Sequence, residues 1–413
     1  MVQVLTRVTG GLCVSANGWT AFPSQYPDMK KRKKERGAVL HLVFNEFRND
    51  SRVEKTCDSL SVAGFSVRVL AFGGVGLPAK EKRDGWEVIR CGSGRRLWAL
   101  VALSWRFLTS VNGFHLVHCH DLEPLPLAVI GKLIRGGRMK IVYDAHELET
   151  EKMAARGSRK IIYKVMERAL MPFVDELITV GERIADWYAK KYSRRKPRVV
   201  MNSPRLHNPK KSEALRKRIG ISLETRLFLY LGALSPGRSV EAMLDAFSGC
   251  EDRVLVLMGS GGTSREGNRL EALVRERASC EANVFFLEPV PGSKVVEYAS
   301  SADGGLCLIE DECLSYRYCL PNKLFEYGMA GTSVVVSDLP ELREVVERYG
   351  CGVICSELTA DGIRMAVDEW LVADVRTMGV RARLMAEERC WEKQEKALGD
   401  LYRRLIPKVR LET

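Results

Sequence analysis

The chain has 413 residues, 46% of them hydrophobic, which is enough to fill the cores of two or three ordinary domains and excludes disorder as its main state. No apolar run reaches the roughly 18 residues that a membrane-crossing helix needs, and the N-terminal stretch lacks the continuous apolar segment of a secretion signal, so a cytoplasmic location is expected. Lysine and arginine (64) exceed aspartate and glutamate (52), and the net charge of +12 favours a polyanionic partner: nucleic acid, an anionic lipid surface or a phosphorylated substrate.

In chain order, residues 1–36 lack helical or alternating periodicity and read as a flexible leader. It ends in the basic cluster Lys30–Arg36, which carries five of the twelve excess charges. A solvated tail, a start placed upstream of Met29 and a membrane-binding arm all fit it. From residue 38, short β-branched runs alternate with amphipathic stretches, the pattern of βαβ units and a parallel sheet. Strands are predicted at 38–45, 66–72, 114–119, 140–143, 176–180 and 198–201, with helices at 52–63, 124–134, 159–170 and 182–191. The polar Asn202–Lys210 stretch, with prolines at 204 and 209, reads as a linker. A second series of strands follows at 227–232, 254–259, 284–287, 305–309 and 332–337, and 391–405 is a strongly amphipathic last helix. The expected domains are 37–205 and 206–388, followed by a C-terminal segment, 389–413. Two doubly wound halves place a ligand at the carboxyl ends of their strands. The twelve cysteines stand singly, several within apolar runs, and read as reduced, buried thiols.

Leu320-Pro-Asn-Lys-Leu-Phe-Glu-Tyr-Gly-Met-Ala-Gly331 is the most informative segment, because proline near its start and glycine past its end mark one short helix. A helix N-terminus together with Lys323 would cradle a diphosphate, and Glu326 is placed to accept hydrogen bonds from a ribose diol. An i, i+3 surface ion pair is the plainer reading of the same spacing. His118 and His120 end a strand on the same side, a geometry open to a metal pair or to substrate contact. Asp144-Ala-His146-Glu147 ends the next strand. Asp50 or Ser51 caps the first helix, or its loop covers a ligand. Arg95–Leu108 has basic ends, two tryptophans and an apolar centre, and reads equally as an interfacial helix or a core helix.

The Pro321–Tyr327 run, then Gly331–Asp338 and the helix from Pro340, resembles the donor-binding core of family 4 (group 1) retaining glycosyltransferases of the GT-B fold. The resemblance extends over residues 38–405. It implies two facing Rossmann-like domains with parallel sheets and a C-terminal crossover helix, 389–413, that packs back on the first. It further implies that Glu326 binds the nucleotide ribose, while Pro321, Asn322 and Lys323 hold the diphosphate. Arg238, in Leu231–Arg238, matches the family's basic diphosphate contact, Gly259 and Gly261 its glycine turn, and Val290 the segment that reads the base. His120, or His118, is expected to face the donor sugar or acceptor. Two positions depart from the family pattern: Tyr318 stands where a glutamate is usual and Ala233 where an arginine is usual.

The activity implied is metal-independent, retaining transfer from a nucleotide-sugar to a glycan or polyprenyl-diphosphate-linked acceptor, without a cofactor, in polysaccharide or glycolipid assembly. The alternatives are a non-catalytic partner subunit or a nucleotide-sugar epimerase. No nucleic-acid partner is expected, since no recognition helix or aromatic single-strand platform occurs. An anionic membrane surface would suit the basic cluster and Arg95–Leu108.

Overall fold

The βαβ alternation builds two sheets whose strands are apolar on both faces. The computed structural model describes residues 36–48, 50–92, 94–153, 155, 157–209 and 211–407, so the leader up to residue 35, including most of the Lys30–Arg36 cluster, and the tail after 407 lie outside the described residues.

The first half runs β1 (Arg36–Leu42), α1 (Ser51–Val62), β2 (Phe65–Phe72), β3 (Lys80–Lys82), β4 (Trp86–Cys91), α2 (Arg96–Ser110) and β5 (Leu116–His120). It continues with α3 (Leu125–Ile134), β6 (Lys140–Ala145), α4 (Gly157–Leu170), β7 (Glu176–Thr179), α5 (Glu182–Tyr192) and β8 (Arg198–Val199). These strands form one sheet in the order β3-β4-β2-β1-β5-β6-β7-β8, parallel except for the β3–β4 pair.

The second half opens with α6 (Ala214–Ile219), β9 (Arg226–Leu231), α7 (Val240–Phe247), β10 (Arg253–Met258), α8 (Arg265–Cys280), β11 (Val284–Leu287), α9 (Gly292–Ala299) and β12 (Gly304–Cys307). Next come α10 (Leu314–Arg317), α11 (Asn322–Ala330), β13 (Ser333–Ser337), α12 (Pro340–Tyr349), β14 (Gly352–Cys355), α13 (Ala360–Val372), α14 (Val375–Glu388) and α15 (Trp391–Leu405). Its sheet has the order β11-β10-β9-β12-β13-β14.

Alternate residues of each central strand feed opposite cores. In β9, Leu227, Leu229 and Leu231 join one cluster, while Phe228 and Tyr230 join the other. The predicted strands agree with the observed ones to within a few residues, but β3, β4 and β14 were not foreseen. β4 hides in the sequence because Arg90 looks like a solvent residue. It is buried, with its guanidinium bonded to Glu81 and to the carbonyls of Glu46, Phe47 and Pro78. The leader was expected to run to residue 36, yet β1 already begins there.

α15 crosses back to the first sheet. Trp391, Leu398, Leu401 and Tyr402 are buried in the cluster that holds Val39, Val53 and Phe65, and the Trp391 indole donates to Ser59 Oγ at 2.8 Å. The linker is fastened to this helix, since Met201 N–H donates to Gln394 and Trp391 N–H to the carbonyl of Pro204. All eleven cysteines of the described residues are free, and most are buried.

Candidate active site

Two clusters of polar side chains face each other from the carboxyl ends of the two sheets. On the second domain, α11 begins at Pro321, its N-cap, and ends at Gly331, whose φ of 73° gives the left-handed stop expected of that residue. Lys323 lies in the first turn. It is buried, its Nζ has no hydrogen-bond partner among the described residues, and it sits 3.7 Å from the centre of the Tyr230 ring. Burial, with Arg238 nearby, lowers its pKa to about 8.

Arg238 stacks over Tyr316 at 4.6 Å. Its turn is pinned by Glu310, whose Oε1 accepts from both the N–H and the hydroxyl of Ser239 at 3.0 Å. Glu310 therefore anchors this turn. Glu326 is partly buried one turn into α11. Burial raises its pKa, and Lys55 and Lys323 oppose that rise.

Lys55, on α1 of the first domain, was not singled out in the sequence, where nothing distinguishes it from a surface lysine. Its Nζ donates to the carbonyl of Ser203 at 2.5 Å and lies over the Trp391 ring, and burial lowers its pKa to about 7. Gly259 and Gly261 are required by packing: a Cβ at Gly259 would lie 1.8 Å from the carbonyl oxygen of Gly232, and one at Gly261 would lie 2.1 Å from that of Gly267. The first contact draws the loops after β9 and β10 together beside Lys323, and the second seats the β10 loop on the first turn of α8. Val290 is partly buried on the loop before α9, and Asn322 is exposed at the start of α11.

On the first domain, Arg52 grips the buried Asp144 through two hydrogen bonds, Nε to Oδ2 at 2.8 Å and Nη2 to Oδ1 at 2.6 Å. Burial alone would raise the Asp144 pKa, but Arg52 and then His146 hold it well below the usual carboxylate range. His118 is fully buried. Its Nε2 meets Asp144 at 3.3 Å and its Nδ1 bonds to the Tyr402 hydroxyl, so it fastens the crossover helix and does not open on the cleft.

His120 bonds His41 at 2.9 Å and His146 at 3.2 Å, and burial keeps its pKa well below the ordinary value. Of this group His146 is the most exposed, at 23% of its side chain. Burial would lower its pKa, yet Asp121 and Asp144 lift it to about 9, so it carries charge at neutral pH. Ligand atoms of His120, Asp144 and His146 lie within 4.8 Å of one another, a spacing that suits a cation. Arg52 already occupies both Asp144 oxygens with positive charge, so this donor set fits a metal poorly.

The halves touch beside these clusters. Ser315 of α10 donates to Glu147 at 3.1 Å and accepts from the Leu148 N–H, while the Arg183 N–H donates to Glu341 at 2.8 Å. Tyr318 packs against the hydrophobic cluster of the first domain. The residue in place of the family's glutamate is thus used to join the domains.

The sequence matches the family model of the glycosyl transferase 4-like domain over residues 50–204 and that of glycosyl transferases group 1 over residues 211–384. No curated protein matches it significantly. Among solved structures, a sucrose-phosphate synthase from Thermosynechococcus elongatus is 18% identical, with a TM-score of 0.75 over 90% of this chain and 99% of its own. Anabaena HepE in complex with UDP-glucose is 13% identical, with a TM-score of 0.69 over 88% of this chain and 98% of its own. WaaG, a glycosyltransferase involved in lipopolysaccharide biosynthesis, is 16% identical, with a TM-score of 0.63 over 88% and 99%. The paired sheets, the crossover helix and both family matches lead to one assignment: the chain belongs to the family 4 (group 1) glycosyltransferases and has the GT-B fold.

Proposed function

We propose that the chain transfers a sugar from a nucleotide-diphosphate donor to a glycan or lipid-linked acceptor, with retention of configuration and without a metal, at the cytoplasmic face of a membrane. The observation that carries this reading is the unpartnered, buried ammonium of Lys323 in the first turn of α11, close to Arg238 and one turn before Glu326. An unpaired buried cation is unfavourable unless an anion completes it. A diphosphate would supply that anion, bridging Lys323, the Arg238 guanidinium and the free N–H groups of the helix end.

Glycosyl transfer separates charge, leaving an oxocarbenium-like sugar as the diphosphate departs. Cations and a helix terminus aimed at the leaving group supply the stabilisation that a divalent ion gives elsewhere. The partly buried Glu326 carboxylate is suited to accept from a ribose diol. HepE, described with UDP-glucose, and WaaG, from lipopolysaccharide synthesis, support a nucleotide-sugar donor and a cell-surface product.

Melting curves with UDP-, GDP-, dTDP- and ADP-sugars, in the presence of chelator, test the donor site. Ligand at a hundred times its dissociation constant stabilises by about 2.7 kcal/mol. One nucleotide class should raise the melting temperature of the wild type and not of Glu326→Ala. Nucleotide release only on addition of an acceptor would separate transfer from epimerisation, and no shift with any donor would favour a non-catalytic subunit.

A further inference from the structure

Ten of the eighteen large apolar side chains exposed among the described residues lie on three successive helices of the first domain, α2, α3 and α4. α3 packs between the other two, and a Cβ on its Gly131 would lie 2.6 Å from Phe107 of α2, so the absence of that carbon lets the helices approach. α2 buries Ala99, Leu103 and Phe107 while Trp98 and Trp105 on its other face are 67% and 72% exposed. α4 turns Tyr163 and Glu167 inward and leaves Ile161, Ile162 and Val165 out. Each helix therefore has two apolar faces, of which the fold uses one.

The exposed charges of these helices are all positive, and the acids that meet them come from the adjoining loops: Glu123 pairs with Arg96 and Arg159, and Glu151 with Lys160 and Lys164. The only acidic residue in the three helices is Glu167, which is buried, whereas Arg106, Arg159, Lys164 and Arg168 are exposed. The face also reaches the cleft. Glu123, in the loop that follows His120 and Asp121, accepts from Arg96 of α2 at 2.7 Å and from Tyr163 of α4 at 2.8 Å.

We infer that the α2–α3–α4 face docks on an anionic lipid bilayer, with its tryptophans and isoleucines in the interfacial layer and its arginines and lysines on lipid phosphates. Exposed tryptophan flanked by arginine is the composition of an interfacial surface, and a contiguous apolar patch of this breadth is rare on a free monomer. A second copy is a poorer occupant, because a two-fold contact would bring the same basic rims together. This inference rests on the lipid-linked acceptor proposed above: docking here would set the cleft beside the bilayer from which such an acceptor emerges.

The test is flotation with vesicles of phosphatidylcholine alone or with phosphatidylglycerol, at low salt. Wild type should float with the anionic vesicles. Trp98→Glu/Ile134→Glu/Ile162→Glu should lose at least tenfold in binding, while Met365→Glu/Val372→Glu on α13 should bind as wild type. Brominated acyl chains should quench the wild-type tryptophan fluorescence, and Trp98→Phe/Trp105→Phe should lose that quenching while still floating. The inference is overturned if wild type ignores anionic vesicles, if the triple variant floats equally well, or if sedimentation shows a dimer that the triple variant abolishes without vesicle binding. Donor melting shifts on the same samples need no membrane. A retained shift shows that the triple variant is folded, and a missing wild-type shift would sink the donor reading while leaving flotation to judge the surface.

Discussion

At Lys323, burial without a partner links stability to function through a single ammonium group. Its pKa of about 8 is below its ordinary 10.5, so between these values the unfolded chain binds the additional proton. The resulting burden on stability is complete below pH 8 and is relieved as pH rises toward 10.5. Lys323→Met should therefore raise stability at pH 7 by about 1–3 kcal/mol in urea titrations and abolish the donor-induced melting shift. Donor affinity of the wild type should weaken as pH passes through about 8, because the diphosphate needs the charged amine, and Lys323→Arg should remove that dependence in calorimetric titrations from pH 7 to 9.5. Arg52→Ala should act in the opposite sense. It takes both guanidinium hydrogen bonds from the buried Asp144 carboxylate and leaves it only His118 and His146, at a cost of about 3 kcal/mol by chemical unfolding, and adding Asp144→Asn should recover part of the loss.

Among the elements, α15 shows how a helix at the end of the chain completes the first domain. Its period was plain in the sequence from Trp391 to Leu405, because five large apolar residues recur on one face. Its partner was not plain, since an amphipathic stripe says that something covers it and not what. Trp391→Ala removes a fully buried ring and its hydrogen bond to Ser59, and should destabilise by about 3–5 kcal/mol in thermal melts. α2 gives the converse case. The sequence allowed a core helix or an interfacial one, and the structure gives it a buried face and an opposite open face.

For the whole molecule, Tyr318 and the Arg183–Glu341 contact join the domains across the cleft. Tyr318→Glu would set a carboxylate in the apolar cluster of the opposite domain, where burial without a partner is unfavourable. The expected result is a more open arrangement, seen as a larger radius of gyration by small-angle scattering, with a higher KM for donor and little change in the melting temperature of either domain.

The two-domain parallel architecture, the short α11 with its proline and glycine ends, and the amphipathic period of α15 were legible in the sequence because each rests on local rules: β-branched runs, caps and periodicity. Lys323 and Glu326 were singled out there by the helix end and their spacing, and Arg238 by the family resemblance, which also supplied what spacing alone left open between a binding site and a surface pair. Tertiary structure alone decided which histidine reaches solvent, since His118, His120 and His146 differ only in what packs over them. It also decided that Arg90 is buried in β4, that Lys55 faces Glu326, and that exposed residues of three separate helices share one surface. The physical reason is the same in each case: burial and electrostatic environment belong to contacts between segments far apart in the chain, and no local pattern encodes them.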